Sequence, residues 1–251
     1  MSDRGGIGAF FDLDGTVIGP PSLEFRLAGH LARRGELRGA AVFSWLKIFF
    51  KEGLRALVTG SRASGRFKAL DENKFYLTGV REQAAAEWAV EAAAIEIYPD
   101  AITRVAWHGE QGHTVFFVSG TLAPLARAVA KHLGQHMEIG VAATEMESVA
   151  GRWTGRIEGA AVCGPAKAQA VRKLAECNEL DLTRSYAYGD SLSDQWMLAT
   201  VGNGTVVNPG PRLMWLARRR GWRIVRWPHS PAVIERTPDA AKQRIPRWEK
   251  S

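Results

Sequence analysis

Four aspartates, one lysine and one serine carry the chemistry open to this chain. Asp12 and Asp14 stand two residues apart ahead of Gly15 and Thr16, Ser119 precedes Gly120 and Thr121, Lys167 follows, and Asp190 and Asp194 complete the set. Several carboxylate oxygens suit a small hard cation, and Mg²⁺ binds through one or two protein carboxylates together with substrate phosphate. With that ion and the Lys167 ammonium at hand, a phosphoryl group can approach Asp12 against reduced repulsion. Asp12 can then serve as nucleophile and carry an aspartyl-phosphate. Asp14 can protonate the leaving oxygen and later take a proton from water. Ser119 and the N–H groups of Gly120 and Thr121, placed at a helix N-terminus, can hold phosphoryl oxygens.

Such a set works only if the fold brings its members to one edge. The apolar run over residues 7–11 ends in Asp12, the run over 114–118 ends in Ser119, and residues 185–188 lead into Gly189 and Asp190. Short apolar runs bounded by turn residues read as buried parallel strands. Further strands are predicted over 139–143, 205–207 and 222–227, and a β-hairpin turns at Gly151. Helical spacing is predicted over 122–132, 166–177, 192–200 and from Pro211 to Gly221. Strand, turn and helix in repetition give an α/β, Rossmann-like, doubly wound parallel sheet, whose ligands bind beyond the carboxyl ends of its strands. Between Ile18 and Pro99 the pattern changes to helices: Leu23, Leu27 and Leu31, then 42–57, then 82–97, with no strand alternation. The expected organisation is a core of residues 1–18 and 98–251 with a helical cap at 19–97.

The order of these motifs resembles the haloacid dehalogenase (HAD) superfamily along nearly the whole chain. Asp12-Leu13-Asp14-Gly15-Thr16 is similar to its first motif, Ser119 to the second, Lys167 to the third, and Gly189-Asp190 through Asp194 to the fourth. The helical insertion resembles the C1 cap of the IB group that includes phosphoserine phosphatase. This resemblance implies Asp12 as nucleophile and metal ligand, and Asp14 as acid and base with its backbone carbonyl also on Mg²⁺. It implies Asp190 as a direct ligand and Asp194 as a ligand or a carboxylate behind one. The presence of Asp14 favours phosphatases over dehalogenases. Phosphoserine phosphatases carry Ser where Gly15 stands here, and at the position of Pro21 a Glu that contacts the substrate amine; Glu24 lies three residues later. The expected function is therefore Mg²⁺-dependent hydrolysis of a small phosphomonoester. The alternatives are a peripheral phosphatase of lipid phosphates, of lysophosphatidate or phosphatidylglycerophosphate type, and a phosphoserine or histidinol-phosphate phosphatase. Glu24, Arg26, Lys47, Arg62 and Arg66 are the cap's candidates for substrate specificity.

Charge narrows the partners. The 251 residues carry 33 basic and 26 acidic side chains, net +7, but residues 1–210 hold 22 against 23 and residues 211–251 hold 11 against 3. The basic excess belongs to the tail, so nucleic acid is not expected as the partner of the catalytic body. Arg218 to Arg220 at a predicted helix end complement its dipole. Arg223 and Arg226 beside Trp215, Trp222 and Trp227, together with the apolar and basic stretch over 42–57, raise peripheral contact with an anionic membrane as a further expectation. The only two cysteines, Cys163 and Cys177, are expected as free thiols in the cytoplasm. His132 and His136 lack the glutamate of a zinc motif and are read, with the other histidines, as surface or core residues.

Overall fold

The computed structural model describes residues 5–37, 74–93 and 97–228. The expected helix over 42–57, the candidates Lys47, Arg62 and Arg66, and the tail from 229 onward lie outside the described residues. Chain order runs β1 (Gly8–Phe11), α1 (Leu23–Arg33), α2 (Glu82–Ala93), α3 (Pro99–Glu110), β2 (Thr114–Leu122), α4 (Ala123–Leu133), β3 (Ile139–Thr144), β4 (Met146–Val149) and β5 (Arg152–Ile157). It continues with α5 (Pro165–Cys177), β6 (Tyr186–Gly189), α6 (Gln195–Leu198), β7 (Asn203–Val207), α7 (Pro211–Arg220) and β8 (Arg223–Val225).

Six of the strands form one sheet in the order β3-β2-β1-β6-β7-β8, every neighbouring pair parallel. Parallel strands need crossovers that cover both faces, so their residues are apolar on both sides. Phe10 and Phe11 show this at adjacent positions. Phe10 stacks on Phe116 with ring centroids 5.4 Å apart and enters the layer of Val171, Met197, Leu198, Leu213 and Ala217 from α5, α6 and α7. Phe11 points the other way, stacks on Tyr188 at 4.3 Å, and joins Val105 of α3, Leu125 and Val129 of α4, and Leu23 and Leu27 of α1. The sheet has the expected Rossmann-like, parallel arrangement, with most strand ends close to those predicted.

Two expectations are corrected. β2 does not stop at Ser119: it continues to Leu122, and α4 begins at Ala123. Its register against β3 shifts between Ser119 and Leu122, so Gly120 and Thr121 form a bulge instead of a helix N-terminus. Bulges re-aim side chains at strand ends. The second correction concerns the helical insertion, which is not purely helical. After a single 3₁₀ turn at Phe75–Leu77, the chain runs beside the β4–β5 hairpin. The Lys74 N–H bonds to the Gly155 carbonyl at 2.9 Å, Gly79 N–H to Trp153 at 2.8 Å, and Trp153 N–H to Val80 at 2.9 Å. A two-stranded hairpin leaves edge groups that need partners, and this segment supplies them. Ile97, predicted at the end of a helix, instead forms an antiparallel bridge with Ile18.

In the basic C-terminal region, Arg218 to Arg220 occupy the last turn of α7 as expected. Trp227 is buried against Tyr98 and Tyr188, while Trp215 is exposed beneath the Arg219 guanidinium. Cys177 is an exposed free thiol, and Cys163 is half-buried. No helix among the described residues is long and apolar enough to cross a membrane.

Candidate active site

The carboxyl ends of β1, β2 and β6 lie side by side; Asp12 and Asp190 directly follow β1 and β6, and Ser119 lies within the bulged end of β2. Asp12 is placed by its own N–H, which bonds to the Tyr188 carbonyl of the neighbouring strand at 2.9 Å. Tyr188 is in turn fixed by His108 Nε2 at 2.9 Å from its hydroxyl. Burial, then His113 and Arg104, hold the His108 imidazole down at about 2, so it packs as a neutral ring.

Lys167 rises from the first turn of α5 into the centre of the cluster. Its Nζ donates to Asp12 Oδ1 at 2.6 Å and to Asp194 Oδ1 at 2.5 Å, with its side chain only 4% exposed. Burial pushes the ammonium down, but the two carboxylates outweigh it and leave Lys167 above its ordinary value. The other Asp194 oxygen accepts from the Ser191 N–H at 2.8 Å and the Ser191 hydroxyl at 2.7 Å. Asp194 is therefore fully engaged and fully buried. It positions Lys167 and the turn that carries Asp190.

Asp190 is different. Its Oδ1 is buried without a hydrogen-bond partner, and burial, with Asp194 and Asp12 beside it, raises its carboxyl well above the usual range. Burial, opposed by Lys167 and reinforced by Asp194, likewise lifts Asp12 to about 7. Asp12, Asp190 and Asp194 each bring a ligand atom within 4.8 Å of the others. An orphaned carboxylate oxygen in an all-oxygen cluster, with two acids pushed toward protonation, is the electrostatic signature of a place for a cation. These residues fit a divalent metal.

Asp14 points to a different set of partners. Its Oδ1 accepts from the Leu23 N–H at the start of α1 at 2.8 Å, and its Oδ2 accepts from the Thr121 hydroxyl. Burial raises its carboxyl while these two bonds lower it. The Thr121 side chain was missed by sequence reasoning, which assigned only its backbone N–H. The signal was there in Ser119-Gly120-Thr121, but the bulge that turns the hydroxyl toward Asp14 is a tertiary feature. Ser119 is buried and its Oγ accepts from the Thr121 N–H at 3.3 Å; Gly120 lies beside the loop of Val162 and Cys163.

Gly15 leaves no room for a side chain. Its φ is +88°, and a Cβ there would meet the Asp190 Oδ2 at 2.2 Å. Gly15→Ala is expected to displace Asp190 and to weaken divalent-metal affinity at the cluster by about tenfold or more. A titration of metal-dependent thermal stability checks it, and unchanged metal affinity would refute the contact.

Of the specificity candidates among the described residues, Glu24 is coupled to the site through Asp14, whereas Arg26 bonds to the turn before α1. Glu24 follows Leu23 on α1, and its charge acts on Asp14. It is held by Lys74 Nζ at 2.8 Å and by the Tyr76 hydroxyl, two residues no sequence pattern singled out. Arg26 donates to the Pro21 and Gly19 carbonyls at 2.7 and 3.0 Å and braces the turn before α1.

A family model, haloacid dehalogenase-like hydrolase, matches residues 9–199. The chain is 35% identical over 227 residues to the phosphoserine phosphatase SerB1 of Mycobacterium tuberculosis, covering 86% of this chain and 69% of that protein. Among solved structures, a protein of unknown function from Bordetella pertussis Tohama I superposes with a TM-score of 0.68 at 26% identity, covering 88% of this chain and 98% of that one. A phospho-aspartyl intermediate analogue of phosphoserine phosphatase superposes at 0.59 and 19% identity, over 88% and 93% of the two chains, and shares the fold. With the motif aspartates gathered at the strand ends of a parallel sheet, and a family match that spans them, this chain belongs to the haloacid dehalogenase-like hydrolases.

Proposed function

We propose that this phosphomonoesterase works through a covalent phosphoryl-enzyme on Asp12, with Mg²⁺ as its cation and a small phosphorylated metabolite as its substrate. The observation that carries the reading is the Lys167 ammonium bonded to Asp12 at 2.6 Å beside the unpartnered Asp190 oxygen. Lys167 leaves the second Asp12 oxygen free to attack phosphorus, while the bond to the leaving oxygen breaks. Asp14, whose carboxyl burial raises and which Thr121 and the Leu23 N–H orient, donates its proton to that oxygen. It then takes a proton from the water that attacks the phosphorus of the aspartyl-phosphate, and Asp12 is released with inorganic phosphate. Ser119 and the N–H groups of the Gly120–Thr121 bulge hold the phosphoryl oxygens in this scheme.

Asp12, Asp190 and the Asp14 carbonyl would hold the Mg²⁺, with Asp194 supporting them through Lys167. The bound ion supplies positive charge that keeps Asp12 ionised and offsets the charge of the phosphoryl group. An all-oxygen donor set without histidine or cysteine favours a hard cation. Residues 19–97 act as a cap that shields the site from bulk water during the phosphoryl step.

Turnover of p-nitrophenyl phosphate that requires Mg²⁺ and stops with a chelator tests the reading; a flat response to both overturns it. The raised acids add a stability prediction. Asp12 sits near 7 in the folded chain against 3.8 for an ordinary aspartate, so the folded state binds the extra proton between those values. The stability that this proton contributes to the metal-free protein is therefore present at about pH 4 and is lost as pH rises through about 7. Thermal melts are expected to fall by roughly 5 °C across that window, and millimolar Mg²⁺ to remove the fall. Melts independent of both pH and Mg²⁺ would contradict it.

A further inference from the structure

We propose that Glu24, Lys74 and Tyr76 are specificity-determining residues that read the charge of the leaving group, and that they favour phosphomonoesters whose leaving group carries no ammonium. The inference rests on the phosphomonoesterase reading above and names the substrate class of that same site.

Glu24 stands one residue after Leu23, whose N–H bonds to the carboxyl of Asp14, and its charge acts on that carboxyl, the acid that serves the leaving oxygen in the scheme above. A lone carboxylate there would attract a substrate ammonium. Here both of its oxygens are already engaged from within the chain. Lys74 Nζ donates to Oε2 at 2.8 Å, with its side chain 4% exposed against 15% for Glu24. The Tyr76 hydroxyl donates to Oε1. Burial, then the Glu24 charge, hold this phenol well above its ordinary value, so it stays a neutral donor.

Lys74 is not a surface lysine that can swing aside. Its N–H bonds to the Gly155 carbonyl of β5 at 2.9 Å. Gly155 has a φ of +87°, and a Cβ there would meet Thr78 Oγ1 at 2.3 Å and Phe75 Cα at 2.9 Å, so the hairpin and the 74–78 segment are in close contact. The Thr78 hydroxyl also donates to the Thr154 carbonyl at 3.1 Å. An incoming ammonium must either displace a fixed, buried cation or sit next to it. It loses its water in both cases and gains no net attraction. A neutral, hydroxyl-bearing leaving group meets no such cost, because each carboxylate oxygen keeps a lone pair that can accept from a hydroxyl.

The test compares kcat/KM for O-phosphoserine and phosphoethanolamine with that for glycerol 1-phosphate, with Mg²⁺, in the full chain. The wild-type protein is expected to prefer glycerol 1-phosphate. Lys74→Met frees the Glu24 charge and is expected to move the ratio toward the ammonium esters by about tenfold, through KM rather than kcat. The double variant Glu24→Gln with Lys74→Met, which has no charge at this place, is expected to show no such move. A Lys74→Met ratio equal to that of the wild type overturns the inference. Should Lys74→Met fail to fold, Glu24→Gln leaves the Lys74 cation unpaired. It is then expected to move preference about tenfold toward 3-phosphoglycerate over glycerol 1-phosphate, and an unmoved ratio overturns the inference equally. Wild-type turnover of p-nitrophenyl phosphate separates the two levels. Turnover with unmoved ratios defeats this inference alone, and none with Mg²⁺ defeats the reading beneath it.

Discussion

Asp12→Asn is expected to reduce phosphatase turnover by at least about 10⁴-fold, the scale of losing a covalent nucleophile, while the protein keeps its fold. The first part follows from chemistry, since an amide cannot form the phosphoryl-enzyme. The second follows from the electrostatics. Asp12 is lifted to about 7 by burial against the pull of Lys167, so an ionised Asp12 is already costly without metal. Asparagine retains the carbonyl oxygen that can accept from Lys167 Nζ, and its backbone bond to Tyr188 is unaffected. Circular dichroism and melting in the absence of metal are therefore expected to match or exceed the wild type. Activity is measured on p-nitrophenyl phosphate with saturating Mg²⁺. Retained turnover in this variant would remove Asp12 from the mechanism and, with it, the aspartyl-phosphate.

Lys167→Met is expected to damage both activity and stability, in a way that depends on pH. Lys167 is the buried cation among the Asp12, Asp190 and Asp194 carboxylates, bonded to two of them. Breaking a buried ion pair by removing one partner costs about 3–5 kcal/mol, because a charge is left without compensation. With the cation gone, the force that lowers Asp12 disappears and its carboxyl rises further. The sign follows: a raised acid penalises the folded state only where it would otherwise ionise, so the loss is small at pH 5 and grows toward pH 8. Urea melts at the two pH values check this. Equal losses at both would mean that Lys167 acts through packing rather than charge. Turnover at neutral pH is expected to fall by about 10²- to 10³-fold, because the phosphoryl group then meets Asp12 without that cation.

Much of the site was legible because it is built from strand ends. A buried parallel strand writes an apolar run into the chain, and the polar residue that ends the run must lie at the sheet edge. Asp12 after residues 8–11, Ser119 within the run of β2, and Asp190 after Tyr186–Gly189 could thus be placed on one edge from sequence alone. Asp14 and Gly15 were legible by spacing, although the reason for Gly15, the Asp190 carboxylate packed against it, was not. The bulge at Gly120–Thr121 was invisible, because it arises from a register shift against β3, an element that is distant in sequence.

Sequence alone determined which carboxylates, hydroxyl and cation are on offer and in what order, because these are set by residue type and by the short-range patterns that end strands. The tertiary structure decided what those groups do to each other. Only the fold brings Lys74 and Tyr76 onto Glu24 across about fifty positions of chain, so that a carboxylate readable as a receptor for an amine is already neutralised. Only the fold gives Asp194 to Lys167 and Ser191 and leaves an Asp190 oxygen without a partner. Charge acts over a few ångströms of space, and distance along the chain does not report those separations.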